Sequence, residues 1–138
     1  MGKITYIDIA GKRYPMSFSL GASKKIAGMK GGTKNLMEFL NKDGNDDKKI
    51  DIFLEILEVL IAQGCAYKNY FEKNIPNPKN APVKNGLWIP LSMDELQAVI
   101  EPSEIERIGY KIKECIEKSQ KKDVSAKSTS KNIKAAQE

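Results

Sequence analysis

Residues 50–71 read IDIFLEILEVLIAQGCAYKNYF. Over 50–61 the polar positions are Asp51, Glu55 and Glu58, and every other side chain is apolar. Carboxylates at i, i+4 and i+7 share one narrow stripe of a helix, so the spacing predicts a helix with a single wet edge and apolar surface nearly all round. Such a helix lies at the centre of a bundle or also presents a face to another chain. Gly64 ends or thins it, while Ala66, Tyr67, Tyr70 and Phe71 continue the helical spacing.

Working back to the N-terminus, residues 4–18, ITYIDIAGKRYPMSF, alternate with period two. Ile7 and Ile9 share one side, as do Tyr14, Met16 and Phe18, around a turn at Ala10-Gly11-Lys12. This is a hairpin signal. Pro15 cannot donate a ladder hydrogen bond, which assigns its strand to an edge. Ser19 is placed to cap a short helix running to about Lys30, with Ala22, Ile26 and Met29 inward and Gly31-Gly32 ending it. Thr33 caps a further short helix with Leu36, Met37, Phe39 and Leu40, and residues 41–47 form a polar turn.

On the C-terminal side, residues 74–90, NIPNPKNAPVKNGLWIP, have the composition of a long loop or crossover, with Trp88 near its end. LSMDEL then combines Ser92 and Glu95 as a capping box with Leu91 and Leu96 as the matching hydrophobic staple. The helix they open stops near Glu101, because Pro102 suits the first turn of the next one. In that helix Ile105, Ile108, Ile112, Cys115 and Ile116 recur on one side, and Glu104, Glu106, Arg107, Lys111, Lys113 and Glu114 fall on the other. From about Lys118 the chain is poor in apolar residues and rich in Lys and Ser, a composition that cannot offset its ordering entropy and reads as disorder. The fold expected is mainly α, in the α+β sense: a small helical bundle over residues 1–117 with an N-terminal β-hairpin at 4–18, followed by a disordered Lys/Ser-rich tail at 118–138.

Bulk properties narrow the function. A chain of 138 residues, 41% hydrophobic and 30% charged, suits one globular domain. No run approaches the roughly 20 apolar residues that span a bilayer, and the first residues lack the pattern of a signal peptide. Cys65 and Cys115 have no Cys-x-x-Cys spacing and read as small buried hydrophobes in a reducing compartment. There is no histidine, which removes the usual general base and the usual metal ligand.

Spacing argues against several specific chemistries. An EF-hand starting at Asp43 places Asn45 and Asp47 correctly, but Lys48 stands where Gly is needed and Leu54 where a bidentate Glu is needed. Gly28 to Gly32 is one residue short of a phosphate-loop spacing, and Thr33 precedes Lys34 instead of following it. Asp51, Glu55 and Glu58 share a face as in di-metal bundles, yet the Glu-x-x-His partner is missing. No Gly-x-Ser-x-Gly is present. Neither an enzyme nor a metal or cofactor site is expected. Nucleic-acid binding is the alternative that needs weighing: the net charge is +5, Lys12 and Arg13 sit at the hairpin turn, and Tyr6 is available to stack. Against it, the Tyr14, Met16 and Phe18 alternation is that of a buried face, Arg and Lys on the helices are interleaved with Glu, and much of the positive charge lies in the tail.

The order of these elements resembles the tail assembly chaperones of phages and prophages of Gram-positive bacteria. The residues that carry it are the hairpin form I-x-I-x-G-K-x-Y-x-M-x-F, then FSLGASKKI at 18–26, the apolar helix ending LIAQGCAYKNYF, and PLSMDELQAVIEPSEIE at 90–106. The resemblance covers residues 4–119. It implies a mostly helical protein of the bacterial host cytoplasm that binds the tape-measure protein, keeps it soluble, helps recruit tail-tube subunits, and is not expected in the mature virion. It also implies that a longer, frameshifted form can extend from the tail. The apolar excess of the central helix adds a physical expectation: an exposed groove lined by Phe53, Leu57, Leu60 and Tyr67 that takes a partner helix, with self-association through the same surface as the simple alternative. A small basic nucleic-acid-binding or regulatory domain is the competing reading, and a structural tail protein retained in the virion is a third.

Overall fold

The computed structural model describes residues 4–29 and 47–119. It has the expected α+β architecture: an N-terminal hairpin laid on a set of helices of which one is much the longest. Strands β1 (Thr5–Ile9) and β2 (Lys12–Met16) pair antiparallel, with Ile7 opposite Tyr14 and Thr5 opposite Met16. The connecting Ala10 and Gly11 both have positive φ, 52° and 78°. That is the turn whose twist matches the strands it joins. Ile7, Ile9, Tyr14 and Met16 are buried, so the alternation seen in the sequence does mark the inner face.

The outer edge of β2 is covered rather than open. Arg13 N–H donates to the Asn80 carbonyl and Ser17 N–H to the Leu60 carbonyl, each at 3.0 Å. Between them stands Pro15, the residue with no N–H to satisfy, its ring fully buried. The edge strand expected from Pro15 is therefore real, with a helix and a loop lying along it.

Helix α1 (Leu20–Ala27) starts from Ser19, whose hydroxyl accepts from Ala22 N–H at 3.1 Å. It ends at Gly28, earlier than the Gly31-Gly32 pair suggested, as the last N–H groups tighten onto carbonyls three residues back: Gly28 to Lys25 at 3.2 Å and Met29 to Ile26 at 3.0 Å. The second short helix expected from Thr33, the polar turn expected over 41–47 and the tail beyond 119 lie outside the described residues, except that residue 47 already belongs to the next helix.

Helix α2 (Asp47–Phe71) runs through Gly64 without a break. At the usual helical rise its 25 residues span about 37 Å. Asp51 and Glu55 are exposed and Glu58 half-buried, which is the predicted wet stripe. Phe53, Leu54, Ile56, Leu57, Leu60 and Ile61 are buried on its other sides. Gly64 is where the helix backbone meets the hairpin: a Cβ there would stand 2.2 Å from the Pro15 carbonyl oxygen and 2.8 Å from Met16 N. A glycine expected to end or thin the helix is a close-approach residue inside it.

The segment after α2 is not a plain loop. Val83–Lys84 (β3) and Leu87–Trp88 (β4) form a second, minimal hairpin around Asn85-Gly86, both at positive φ, 53° and 81°. Helix α3 (Met93–Val99) opens with the predicted capping box, Glu95 N–H to Ser92 Oγ at 3.2 Å and Ser92 N–H to Glu95 Oε1 at 2.9 Å. Ile100 breaks it in extended geometry, and a 3-10 turn (Pro102–Glu104) leads into α4, helical over 105–119. Ile105, Ile108, Ile112, Cys115 and Ile116 are all buried, as their spacing required. Lys118 and Ser119, expected to begin the tail, instead continue α4 and reach back to the carbonyls of Ile4 and Phe18, each at 3.4 Å.

Candidate interaction surface

A seam of side chains runs down α2 at alternating steps of four and three: Phe53, Leu57, Leu60, Gly64, Tyr67, Phe71. That spacing is the one by which a helix meets another helix along its length. The protein covers the first part of the seam itself. Gly109 of α4 packs on the Phe53 ring, close enough that an added Cβ would lie 3.3 Å from Phe53 Cε2. Leu57 and Leu60 have no solvent exposure, and β2 closes over Gly64.

Phe53, Leu57 and Leu60 therefore do not line an exposed groove. They are core residues, and the reason is long-range: α4 and the hairpin both converge on the same side of α2. Of the residues expected to face a partner, Tyr67 alone retains surface, and it is half-buried. Past it the cover stops. Phe71, on the seam, is 74% exposed and the neighbouring Tyr70 73%. The three rings pack on one another, Tyr67 to Phe71 at 5.4 Å and Tyr70 edge-on to Phe71 at 6.3 Å between centroids. Exposure of Tyr70 and Phe71 was not evident from periodicity, which reports which residues share a face but not where the covering elements end.

Residues beside the seam on the same helical turns are tightly organised. Lys68 is buried, with Nζ 2.6 Å from Glu72 Oε1, 5.1 Å from the Tyr6 ring centroid and 5.5 Å from that of Trp88. Burial disfavours its charged form, but hydrogen bonds to Glu72 and Tyr6 outweigh this and raise its pKa above the ordinary lysine value. Arg13 covers the same Tyr6 ring at 5.0 Å. Asn69 holds β4 in place, accepting from Trp88 N–H at 2.9 Å and donating to the Trp88 carbonyl at 3.2 Å, while Trp88 Nε1 donates to Asn77 at 3.2 Å. Tyr6 and Arg13, the candidates for stacking and for a phosphate, thus come together, but as a cation on a ring that Lys68 also contacts. Lys12 stands exposed at the tip.

Both thiols are buried and free. Burial pushes Cys65 and Cys115 up to about 12, which keeps them protonated and unreactive at neutral pH. Among the described residues no cluster of His, Cys, Asp or Glu could hold a metal ion, and no helix is long and apolar enough to cross a membrane. No protein-family model, curated protein or solved structure matches the chain.

Proposed function

We propose that this protein is a tail assembly chaperone of the phage and prophage kind, a binding protein without catalysis that holds the tape-measure protein soluble and helps recruit tail-tube subunits in the bacterial cytoplasm. The observation that carries the reading is the order of elements through the residues that resemble the family: hairpin, Ser-capped short helix, long apolar helix, crossover, capping-box helix and final helix. The exposed aromatic end of α2 supports it physically, since a chaperone for helical chains needs apolar surface that its own fold leaves uncovered. The absence of histidine and the two protonated, buried thiols favour binding over catalysis.

Co-expression with the tape-measure protein tests the proposal. The expected result is that the tape-measure protein, insoluble alone, stays in the supernatant and co-purifies with this chain. Unchanged insolubility, with this chain folded and abundant, would sink the reading. The exposed Lys12 tip keeps a nucleic-acid role worth measuring. Retention on heparin that is steeply salt-dependent and survives removal of residues 120–138 would favour it.

A further inference from the structure

The uncovered end of α2 has a shape and a charge that define what fits it. We propose that Tyr67, Tyr70 and Phe71, with Leu20 beside them, form a docking ridge for an amphipathic helix whose apolar stripe is flanked by acidic residues. The inference deepens the binding-protein reading by naming the place and the chemistry of the partner segment.

Shape comes first. The rings continue the seam that α4 and β2 cover earlier along the same helix, so a second helix laid here extends packing already used inside the fold. The start of α1 borders the ridge. The Ser19 hydroxyl donates to Gln63 Oε1, and a Cβ on Gly21 would stand 2.8 Å from the same oxygen. Gln63 is one turn before Tyr67, and Leu20, between the Ser19 and Gly21 that meet Gln63, is 79% exposed.

Charge selects the partner. Helix α1 has no acidic residue, and α2 has none over residues 59–71. Lys24 and Lys25 are exposed on α1, Lys73 is exposed two residues past Phe71, and none of the three makes an ion pair with a described residue. The nearest carboxylate in sequence, Glu72, is engaged by Lys68. The other described carboxylates after Glu72, which are Asp94, Glu95, Glu101, Glu104, Glu106, Glu114 and Glu117, belong to other elements. A rim of one sign attracts a flank of the other and steers its approach. The same rim argues against a second copy, because a symmetric pair would set these lysines face to face. Nucleic acid fits less well, since the rings pack on each other instead of standing apart as stacking platforms and Leu20 gains nothing from a phosphate backbone.

The test uses the full chain and labelled synthetic peptides of about 20 residues with leucines at helical seam spacing, flanked either by glutamates or by lysines. Binding is read by fluorescence anisotropy, with an oligothymidylate of about 20 nucleotides as competitor. The glutamate-flanked peptide is expected to bind about tenfold or more tightly than its lysine counterpart. Phe71→Ser should weaken it about tenfold while leaving the thermal midpoint unchanged. Reversal of the rim, Lys24→Glu with Lys25→Glu and Lys73→Glu, should invert the preference. Equal binding of the two peptides, indifference to Phe71→Ser, displacement by the oligonucleotide, or a dimer in sedimentation that Phe71→Ser dissolves would each overturn the proposal. If co-expression keeps the tape-measure protein soluble but the peptides show no preference, the docking site fails alone. If the preference holds and co-expression fails, the chaperone reading fails alone.

Discussion

The two ends of α2 are made from one repeating pattern and meet different fates. Between Phe53 and Gly64 the seam is sealed, with Leu57 and Leu60 wholly buried. At Tyr67 and Phe71 the same spacing continues with less cover, Tyr67 half-buried and Phe71 74% exposed. Hydrophobic periodicity thus assigns a face, while the reach of the neighbouring elements decides whether that face is core or surface. Substitutions along the seam should show the difference as a gradient from folding to binding.

The largest effect belongs to the sealed part. Leu57→Asp or Leu60→Asp buries a carboxylate with no partner, and a loss of about 4 kcal/mol or more is expected, enough to abolish a cooperative unfolding transition. Circular dichroism against temperature reads it directly. A variant that still unfolds cooperatively near the wild-type midpoint would mean that these residues are not core. Next comes Gly64→Ala. Helix propensity alone would favour alanine by about 1 kcal/mol, but the added carbon meets the Pro15 carbonyl at 2.2 Å, so the net change should be a loss of about 2 kcal/mol or more. A stabilised Gly64→Ala would show that the hairpin does not lie against the helix at this point.

Lys68→Met should cost less, about 1–2 kcal/mol, because it keeps most of the buried stem and removes the ion pair and the two ring contacts. Denaturant unfolding of this variant beside Glu72→Gln, and of the two combined, would show the coupling: the double variant should lose less than the singles added together. The smallest effect on stability is at the open end, where Phe71→Ser should change the unfolding free energy by about 0.5 kcal/mol or less.

The thiols add a pH dependence at the alkaline limit. Their folded pKa values, about 12, lie above the ordinary thiol value. The protonated form is the one the fold favours, so this stabilisation is fully present below about pH 8.5 and is lost as pH rises through the folded values. Unfolding midpoints measured from pH 8 to pH 11 should fall, and native protein should resist a thiol reagent that labels the denatured chain at once. Rapid labelling of the native protein at pH 8 would place a cysteine at the surface.

Much of the fold is legible in the sequence because its determinants are local. The capping box at Ser92, the inward set from Ile105 to Ile116 and the alternation from Ile7 to Met16 depend on neighbours within a few residues, and each appears in the structure where the spacing put it. The misses come from contacts distant along the chain. That Gly64, expected to end or thin the helix, is a point of close approach shows only once Pro15 is seen against it. The hairpin around Asn85-Gly86 lies in the stretch expected to be a long loop or crossover, because its strands are two residues each and owe their place to Asn69 bonding both polar groups of the Trp88 backbone. Phe53, Leu57 and Leu60 were expected at a partner surface because their apolar excess was visible while the elements that cover them were not. Of the four, Tyr67 is the one that keeps part of its surface.

Hydrogen exchange of the chain alone and in complex with the tape-measure protein tests the central claim most directly. The account predicts that binding adds protection over residues 65–73 and at the start of α1, with little change over 53–60, where the core already protects the backbone. Added protection centred on the hairpin tip at residues 10–13, with none over 65–73, would contradict it.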